Sequence, residues 1–73
     1  MNEELFLQKL GMLIKNKRRF LDLSQEELAW RCEITKNGLG KIELGRSQVR
    51  ITTLSNIFRE LNLTFSDLDL INK

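Results

Sequence analysis

The stretch from Ser24 to Gly45 limits the possible folds of this chain more than any other part of it. Within this stretch, small and apolar residues recur at helical spacing with one interruption. These residues are Leu28, Ala29, Cys32, Ile34, Leu39 and Ile42. The spacing predicts two short helices that cross at a sharp turn, the first from Gln25 to Cys32 and the second from Lys36 to about Leu44.

Residues suited to helix ends stand where these two helices should begin and end. Ser24 can cap the first helix, while Glu27, three residues later, can reach back to the amide of Ser24. Thr35 can cap the second helix, and Gly45 can end it. Glu33 falls in the turn, where a left-handed conformation costs a residue with a side chain roughly 1 kcal/mol.

Two further helices are predicted on either side of this pair. The first should begin at Asn2 or Glu3 and continue to Phe20 or Leu21, with apolar residues every three to four positions. After the pair, a strong apolar stripe predicts a helix that ends at Asn62; the stripe consists of Ile51, Leu54, Ile57, Phe58 and Leu61. Thr64 and Asp67 form a weaker capping pair for a last short helix, although the tail could instead be extended.

Composition narrows the function classes. A chain of 73 residues has room for one domain, residues 1–73, and it buries only about 60% of its unfolded surface. It has no histidine, no tyrosine and one cysteine, so we expect no enzyme, no metal, no cofactor and no internal disulfide. We also expect a cytoplasmic protein, because no apolar run is long enough to cross a membrane and no signal peptide is evident.

Charge is distributed unevenly along the chain. The overall net charge is only +2, but residues 15–50 carry nine basic against five acidic side chains, a net of +4. A basic middle with acidic ends is a modest electrostatic footprint of the kind found in nucleic-acid-binding domains.

The paired helices resemble the helix-turn-helix of the phage Cro-type and XRE-type repressors, and the similarity extends from about Leu10 to Leu68. It implies an all-α, compact, five-helix lambda-repressor-like DNA-binding domain with its helix-turn-helix at residues 24–45. In that family the second helix of the pair lies in the DNA major groove. The resemblance also implies an ion pair between Arg18 and Glu43 that holds this helix against the first helix.

Two groups of candidate DNA-binding residues follow. Opposite the buried side of the second helix stand Lys36, Asn37 and Lys41, residue types that can contact base edges in the major groove. The candidate phosphate-binding residues are Gln25, Thr35, Arg46 and Arg50. The alternative for both groups is that they are ordinary solvated polar residues.

Four positions remain open. Lys17 stands where the family usually has an aliphatic core residue, so either its stem is buried or the first helix is rotated. Trp30 is either half-exposed or covers the start of the first helix. Gly38 and Gly40 weaken the second helix, and they either permit a closer approach to DNA or indicate a protein partner.

More apolar residues lie near the C-terminus than one small core needs, which favours a dimerisation surface within residues 51–73 over a simple core. The candidates are Ile57, Leu61, Leu63, Phe65, Leu68, Leu70 and Ile71. We therefore expect a homodimer that binds a palindromic double-stranded DNA operator and regulates transcription as a repressor or controller protein. The alternative is an antitoxin-type or other protein-interaction module, with a toxin or another protein as its partner.

Overall fold

Four α-helices and one 3₁₀ helix form the computed structural model, which describes residues 2–70 of the chain. The elements are α1 (Glu3–Phe20), α2 (Gln25–Arg31), α3 (Lys36–Glu43), α4 (Ile51–Leu61) and the C-terminal 3₁₀ helix (Phe65–Leu70). No strand occurs in the described part of the chain, so the all-helical class is as predicted. Within residues 2–70, no helix combines the length and the apolar character needed to cross a membrane.

The sequence predicts five helices, and the structure has four α-helices and a last short element of a different type. Residues 65–70 form a six-residue 3₁₀ helix rather than an α-helix or an extended tail. The predicted capping pair is present, since the Thr64 amide donates to Asp67 Oδ2 at 2.7 Å. A segment this short gains little from α-helical hydrogen bonds, and 3₁₀ geometry is common in such pieces.

Side-chain caps begin the first three helices. Asn2 Oδ1 accepts from the Leu5 amide at 2.7 Å, Ser24 Oγ from the Glu27 amide at 3.0 Å, and Thr35 Oγ1 from the Gly38 amide at 2.9 Å. Only one of the two bonds of the predicted capping box is present, the one from the Glu27 amide to Ser24 Oγ. The Glu27 carboxylate accepts from Arg31 Nε at 3.2 Å and does not reach back to the Ser24 amide. That contact is an exposed i,i+4 ion pair, which stabilises α2 slightly.

The four α-helices end in the same way. Each chain reversal places one residue at positive φ and is closed by a backbone bond back across the last turn, as in the Schellman motif. The four residues are Asp22 (φ 59°), Glu33 (φ 57°), Gly45 (φ 72°) and Asn62 (φ 57°). Only one of them is glycine, so three helix ends carry a strain of roughly 1 kcal/mol each, which is smaller for Asn and Asp.

One hydrophobic core receives side chains from all four α-helices. Its buried members are Leu10, Ile14, Leu28, Ala29, Cys32, Leu39, Ile42, Leu54, Ile57, Phe58 and Leu61. Cys32 is a core residue, as the sequence suggested. Burial raises the pKa of its thiol because desolvation disfavours the thiolate, and the nearby Glu60 carboxylate acts in the same direction.

The C-terminal apolar residues divide between this core and the surface. Ile57 and Leu61 are fully buried inside the subunit, so their assignment to a dimer surface is wrong. Leu63 and Leu68 are half-buried and pack against the core. Phe65 is 51% exposed, and its ring packs on Phe58 with 5.4 Å between the ring centroids.

Two of the other dimerisation candidates stay untested. The side chain of Leu70 and all of Ile71 lie outside the residues that the structure describes.

Candidate functional site

Helix α3 lies against α1 and α2 and presents its opposite side to solvent. Leu39, Ile42 and Glu43 form the buried side. The exposed side carries the three predicted base-reading residues, Lys36, Asn37 and Lys41. Leu44, the residue that ends the helix, is 56% exposed and lies one turn beyond Lys41. The outer side of α3 therefore carries two positively charged side chains, one amide side chain and one apolar side chain.

A buried network of charged and polar groups fixes the position of α3. Arg18 Nε donates to Glu43 Oε2 at 2.7 Å, and Arg18 Nη2 donates to Glu43 Oε1 at 3.1 Å, so the pair is bidentate. Arg18 Nη1 also donates to the Leu23 carbonyl at 2.7 Å. Both charged residues are over 90% buried. The ion pair implied by the sequence resemblance is thus present, and it joins α1, the turn before α2, and α3.

Gln25 belongs to this same network. Its Nε2 donates to Glu43 Oε1 at 3.0 Å, which ties the first turn of α2 to the end of α3. The amide side chain therefore has a structural partner within the fold. A phosphate contact from Gln25 would use its backbone N–H at the helix start and the second hydrogen of Nε2.

A glycine in α1 lets α3 approach closely. A Cβ atom at Gly11 would lie 2.4 Å from the Glu43 carbonyl oxygen and 2.5 Å from that of Ile42. These are backbone atoms, so they cannot rotate away. Gly11 is buried in the middle of a helix, where glycine is otherwise unfavourable by roughly 0.5–1 kcal/mol. The close approach of α3 therefore explains the glycine at this position, since the local backbone conformation does not require one.

The remaining candidate phosphate-binding residues border α3. Thr35 is exposed at its N-terminus, where the hydroxyl oxygen serves as the cap and the hydroxyl hydrogen stays available to an acceptor. Arg46 and Arg50 are exposed in the loop between α3 and α4. This loop is held to the first turn of α1, since Gln48 Nε2 donates to Glu3 Oε2 at 2.7 Å.

Gly38 and Gly40 have different surroundings. A Cβ atom at Gly38 would lie 3.0 Å from Thr35 Oγ1, so the cap of α3 leaves little room there. At Gly40 it would meet only the Gln25 amide at 3.8 and 3.9 Å, which is ordinary contact. Neither glycine has positive φ.

The structure also resolves two other open positions. Lys17 is half-buried, and its ammonium lies 5.3 Å from the ring centroid of the exposed Phe20, a cation–π contact. Trp30 is 75% exposed and does not cover the start of α1. It lies on the side of α2 opposite the buried Leu28 and Ala29.

Sequence reasoning missed three contributors to this site. For Gly11 the sequence contains a signal, because a glycine inside an otherwise amphipathic helix indicates a close contact with another segment. Leu44 also had one, because it lies seven residues after Asn37 and so shares its side of α3. The Leu23 carbonyl had none, because backbone acceptors carry no mark in the sequence. No cluster of metal-ligating side chains occurs among the described residues.

Comparison with known proteins gives both a family and a fold. The helix-turn-helix family model HTH_3 matches residues 14–68. A solved structure of the clp gene regulator ClgR from Corynebacterium glutamicum matches with a TM-score of 0.86 and 23% identity, covering 96% of this chain and 74% of that one. At this identity the likeness supports the fold alone. No curated protein matches the chain significantly.

Two further solved structures are similar. The restriction-modification controller protein C.AhdI from Aeromonas hydrophila has a TM-score of 0.79 and 26% identity, covering 85% of this chain and 94% of that one. An HTH_3 family transcriptional regulator from Vibrio cholerae has a TM-score of 0.82 and 30% identity, covering 94% of this chain and 39% of that one. The family model spans most of the sequence, including α2, α3 and the network that joins them to α1. The chain therefore belongs to the XRE/Cro-type helix-turn-helix family.

Proposed function

We propose that this protein is a transcriptional regulator that binds a two-fold double-stranded DNA operator as a homodimer. One observation carries the proposal: α3 is anchored on its inner side and presents Lys36, Asn37 and Lys41 on its outer side. Its family membership and its similarity to regulators, including the controller protein of a restriction-modification system, support the same function.

In this function α3 would enter the major groove. Lysine can donate to guanine O6 and N7, and asparagine can both donate to and accept from adenine. Leu44 adds an apolar side chain of the kind that packs on a thymine methyl group. The bidentate network behind α3 would hold these side chains at a constant angle to the bases.

Phosphate contacts on both sides of the groove would set the register of the protein on DNA without reading sequence. Thr35 stands at the start of α3, the first turn of α2 is tied to the end of α3 through Gln25, and Arg46 and Arg50 lie in the loop that follows α3. A dimer would place two copies of α3 about one helical turn of DNA apart, roughly 34 Å.

Duplexes selected from a random pool should yield a two-fold sequence whose affinity falls steeply as salt rises. Two exposed arginines per subunit give four phosphate charges in a dimer, so we expect about a hundredfold loss between about 50 and about 200 mM salt. Fluorescence anisotropy of a labelled duplex measures this dependence. Failure to enrich any sequence, or binding that ignores salt, would contradict DNA recognition.

Substitutions should separate base reading from phosphate binding. Lys41→Ala should cost about 1–3 kcal/mol on the selected operator and little on random duplex, because its contact is to a base edge. Arg46→Ala should weaken both duplexes alike and make the salt slope shallower by roughly 2 for a dimer. Equal losses on operator and random DNA for Lys41→Ala would remove Lys41 from the reading residues.

A protein-interaction module of antitoxin type is the second candidate function. Its support is that Gly38 and Gly40 leave two positions of α3 without side chains, so few groups are available to read bases. Such a module would bind random and selected duplexes equally weakly, so the selection experiment decides between the two functions.

A further inference from the structure

Helix α1 exposes one side to solvent along most of its length. This side lies opposite the buried Leu10 and Ile14, and its residues fall within about 100° of arc around the helix axis. From end to end it spans about 22 Å. The outer side of α1 consists of Leu5, Lys9, Met12, Asn16, Arg19 and Phe20.

Large apolar side chains are exposed along this outer side. Leu5 is 41%, Met12 is 59% and Phe20 is 78% exposed. Three of the seven exposed large apolar side chains in the described chain therefore lie on one side of one helix. Apolar side chains gathered on one surface and bordered by polar ones are typical of a site that binds another molecule.

An open groove continues this surface at the C-terminal half of α1. Its volume is about 520 Å³. The groove is lined by Leu13, Asn16, Lys17, Phe20, Asn62, Leu63 and Asp67. A site of roughly 150 Å³ already holds a benzene ring, so the groove can receive a large apolar side chain of a partner.

The charge on this part of α1 is of one sign. Residues 9–20 contain five cationic side chains and no acidic one. Arg18 is buried and paired with Glu43, whereas no carboxylate in residues 2–70 forms an ion pair with the other four. These four are Lys9, Lys15, Lys17 and Arg19. The one acid that lines the groove, Asp67, already accepts from the Thr64 amide. A partner of negative charge is therefore complementary to this surface.

Duplex DNA held by α3 does not account for this surface. Gly11 and Arg18 mark the side of α1 that contacts α3. The centre of the outer side of α1 lies about 140° further around the helix. A sugar–phosphate backbone also offers little apolar surface to cover Met12 and Phe20. An acidic protein segment provides both the charge and the apolar contact.

We propose that the outer side of α1, with the groove beside it, binds an acidic amphipathic helix of a different protein. Apolar residues of that helix would cover Leu5, Met12 and Phe20. Its carboxylates would face Lys9 and Lys17. An amphipathic helix laid on an apolar surface is a common mode of recognition, and about 15 residues of helix match the length of the exposed side. The inference goes beyond the proposed function, because this contact does not involve DNA.

A defined peptide tests the proposal directly. The probe is a labelled helical peptide of about 16 residues with glutamate on its polar side and leucine on its apolar side. One control peptide has lysine in place of every glutamate, and another has the same composition with the leucines distributed around the helix. Fluorescence anisotropy without DNA should give a Kd of about 1–100 μM for the probe and binding at least about tenfold weaker for both controls. Equal binding of the probe and either control overturns the proposal.

Truncation of one ring should locate the contact. Phe20→Ala should weaken binding of the acidic peptide about tenfold, because it removes an exposed ring that also lines the groove. Trp30→Ala is the matched control, since it removes an aromatic residue of similar exposure from α2 and should bind the peptide normally. Circular dichroism confirms that both variants are folded. Equal affinity of the two variants overturns the assignment to α1.

Reversal of the charge tests the same contact by a gain of binding. Lys9→Glu combined with Lys17→Glu should reject the acidic peptide and bind the lysine peptide instead, because opposite charges then face each other again. Misfolding cannot produce such a gain. If the double variant does not bind the lysine peptide better than the wild-type protein does, the charge pairing is wrong.

The outcomes keep this proposal apart from the proposed function. Phe20→Ala should bind the selected operator with wild-type affinity, and the acidic peptide should bind the protein on its operator without displacing the DNA. Displacement of DNA by the peptide would place the peptide on α3 and overturn the proposal. Loss of self-association in Phe20→Ala, with no peptide bound by the wild-type protein, would assign the surface to a second copy and also overturn it. Peptide binding by a protein that selects no operator supports this proposal and contradicts only the proposed function.

Discussion

Glu43→Ala should destabilise the fold by about 3–5 kcal/mol, because it leaves the buried Arg18 guanidinium without its partner. Two direct hydrogen bonds from Arg18 and one from Gln25 would be lost together. For a domain of 73 residues the whole free energy of unfolding is roughly 4–11 kcal/mol, so much of it would be lost. Urea unfolding followed by circular dichroism at 222 nm measures the change.

Glu27→Ala is the matched control. It removes a glutamate that also pairs with an arginine, but both side chains are about half exposed, and the expected loss is below about 0.5 kcal/mol. Replacing both members, Arg18→Leu with Glu43→Leu, should recover part of the stability, because no unpaired charge then stays buried. If Glu43→Ala costs no more than Glu27→Ala, the network does not hold α3 in place.

Where sequence reasoning worked, the signal was local. Ser24 and Thr35 cap helices through bonds to amides three residues ahead, so both helix starts could be predicted. Gly45 and Asn62 take the left-handed conformation that their residue types tolerate. Helix ends and the buried side of each helix depend on nearby residues alone, and composition within a few positions is enough to predict them.

Where it failed, the cause was packing between distant segments. Four of the five residues in the apolar stripe of α4 are buried, whereas Ile51 is 68% exposed. Nothing in the stripe says whether the covering surface comes from the same chain or from another copy. Ile57 and Leu61 are covered by the subunit itself.

The candidate DNA-binding site depends on both kinds of information, local sequence and contacts between distant segments. Helical periodicity alone placed Lys36, Asn37 and Lys41 on one side of α3, and the structure has them there. The ion pair of Arg18 and Glu43 spans 25 residues, a distance over which periodicity carries no information. That pair was available only through resemblance to a family. Gln25 had been assigned to phosphate, whereas its side chain bonds Glu43, because a polar side chain at a helix start can turn either outward or inward.

Besides the Arg18 network, the absence of a side chain at Gly11 also fixes the position of α3. Helix α1 runs so close to the end of α3 that a methyl group there would overlap the carbonyl groups of Ile42 and Glu43. The Arg18 network lies seven residues further along the same helix, so α3 is held at two points of α1. Loss of either contact should change how α3 is presented to DNA.

Gly11→Ala should therefore destabilise the protein by about 2–3 kcal/mol, even though alanine is the better helix former by up to about 1 kcal/mol. Backbone atoms at 2.4 and 2.5 Å can be relieved only by moving α3 away from α1, which also disturbs its anchored end. Gly40→Ala is the control: it is the same substitution in a helix, where the added methyl group meets only the Gln25 amide at ordinary contact distance, and it should be neutral or stabilising by up to about 1 kcal/mol. Urea unfolding of the two variants gives the comparison, and operator affinity should fall for Gly11→Ala in the fraction that stays folded. Equal stabilities of the two variants would mean that α1 and α3 can separate without cost, and the close approach would then play no part in presenting the outer side of α3.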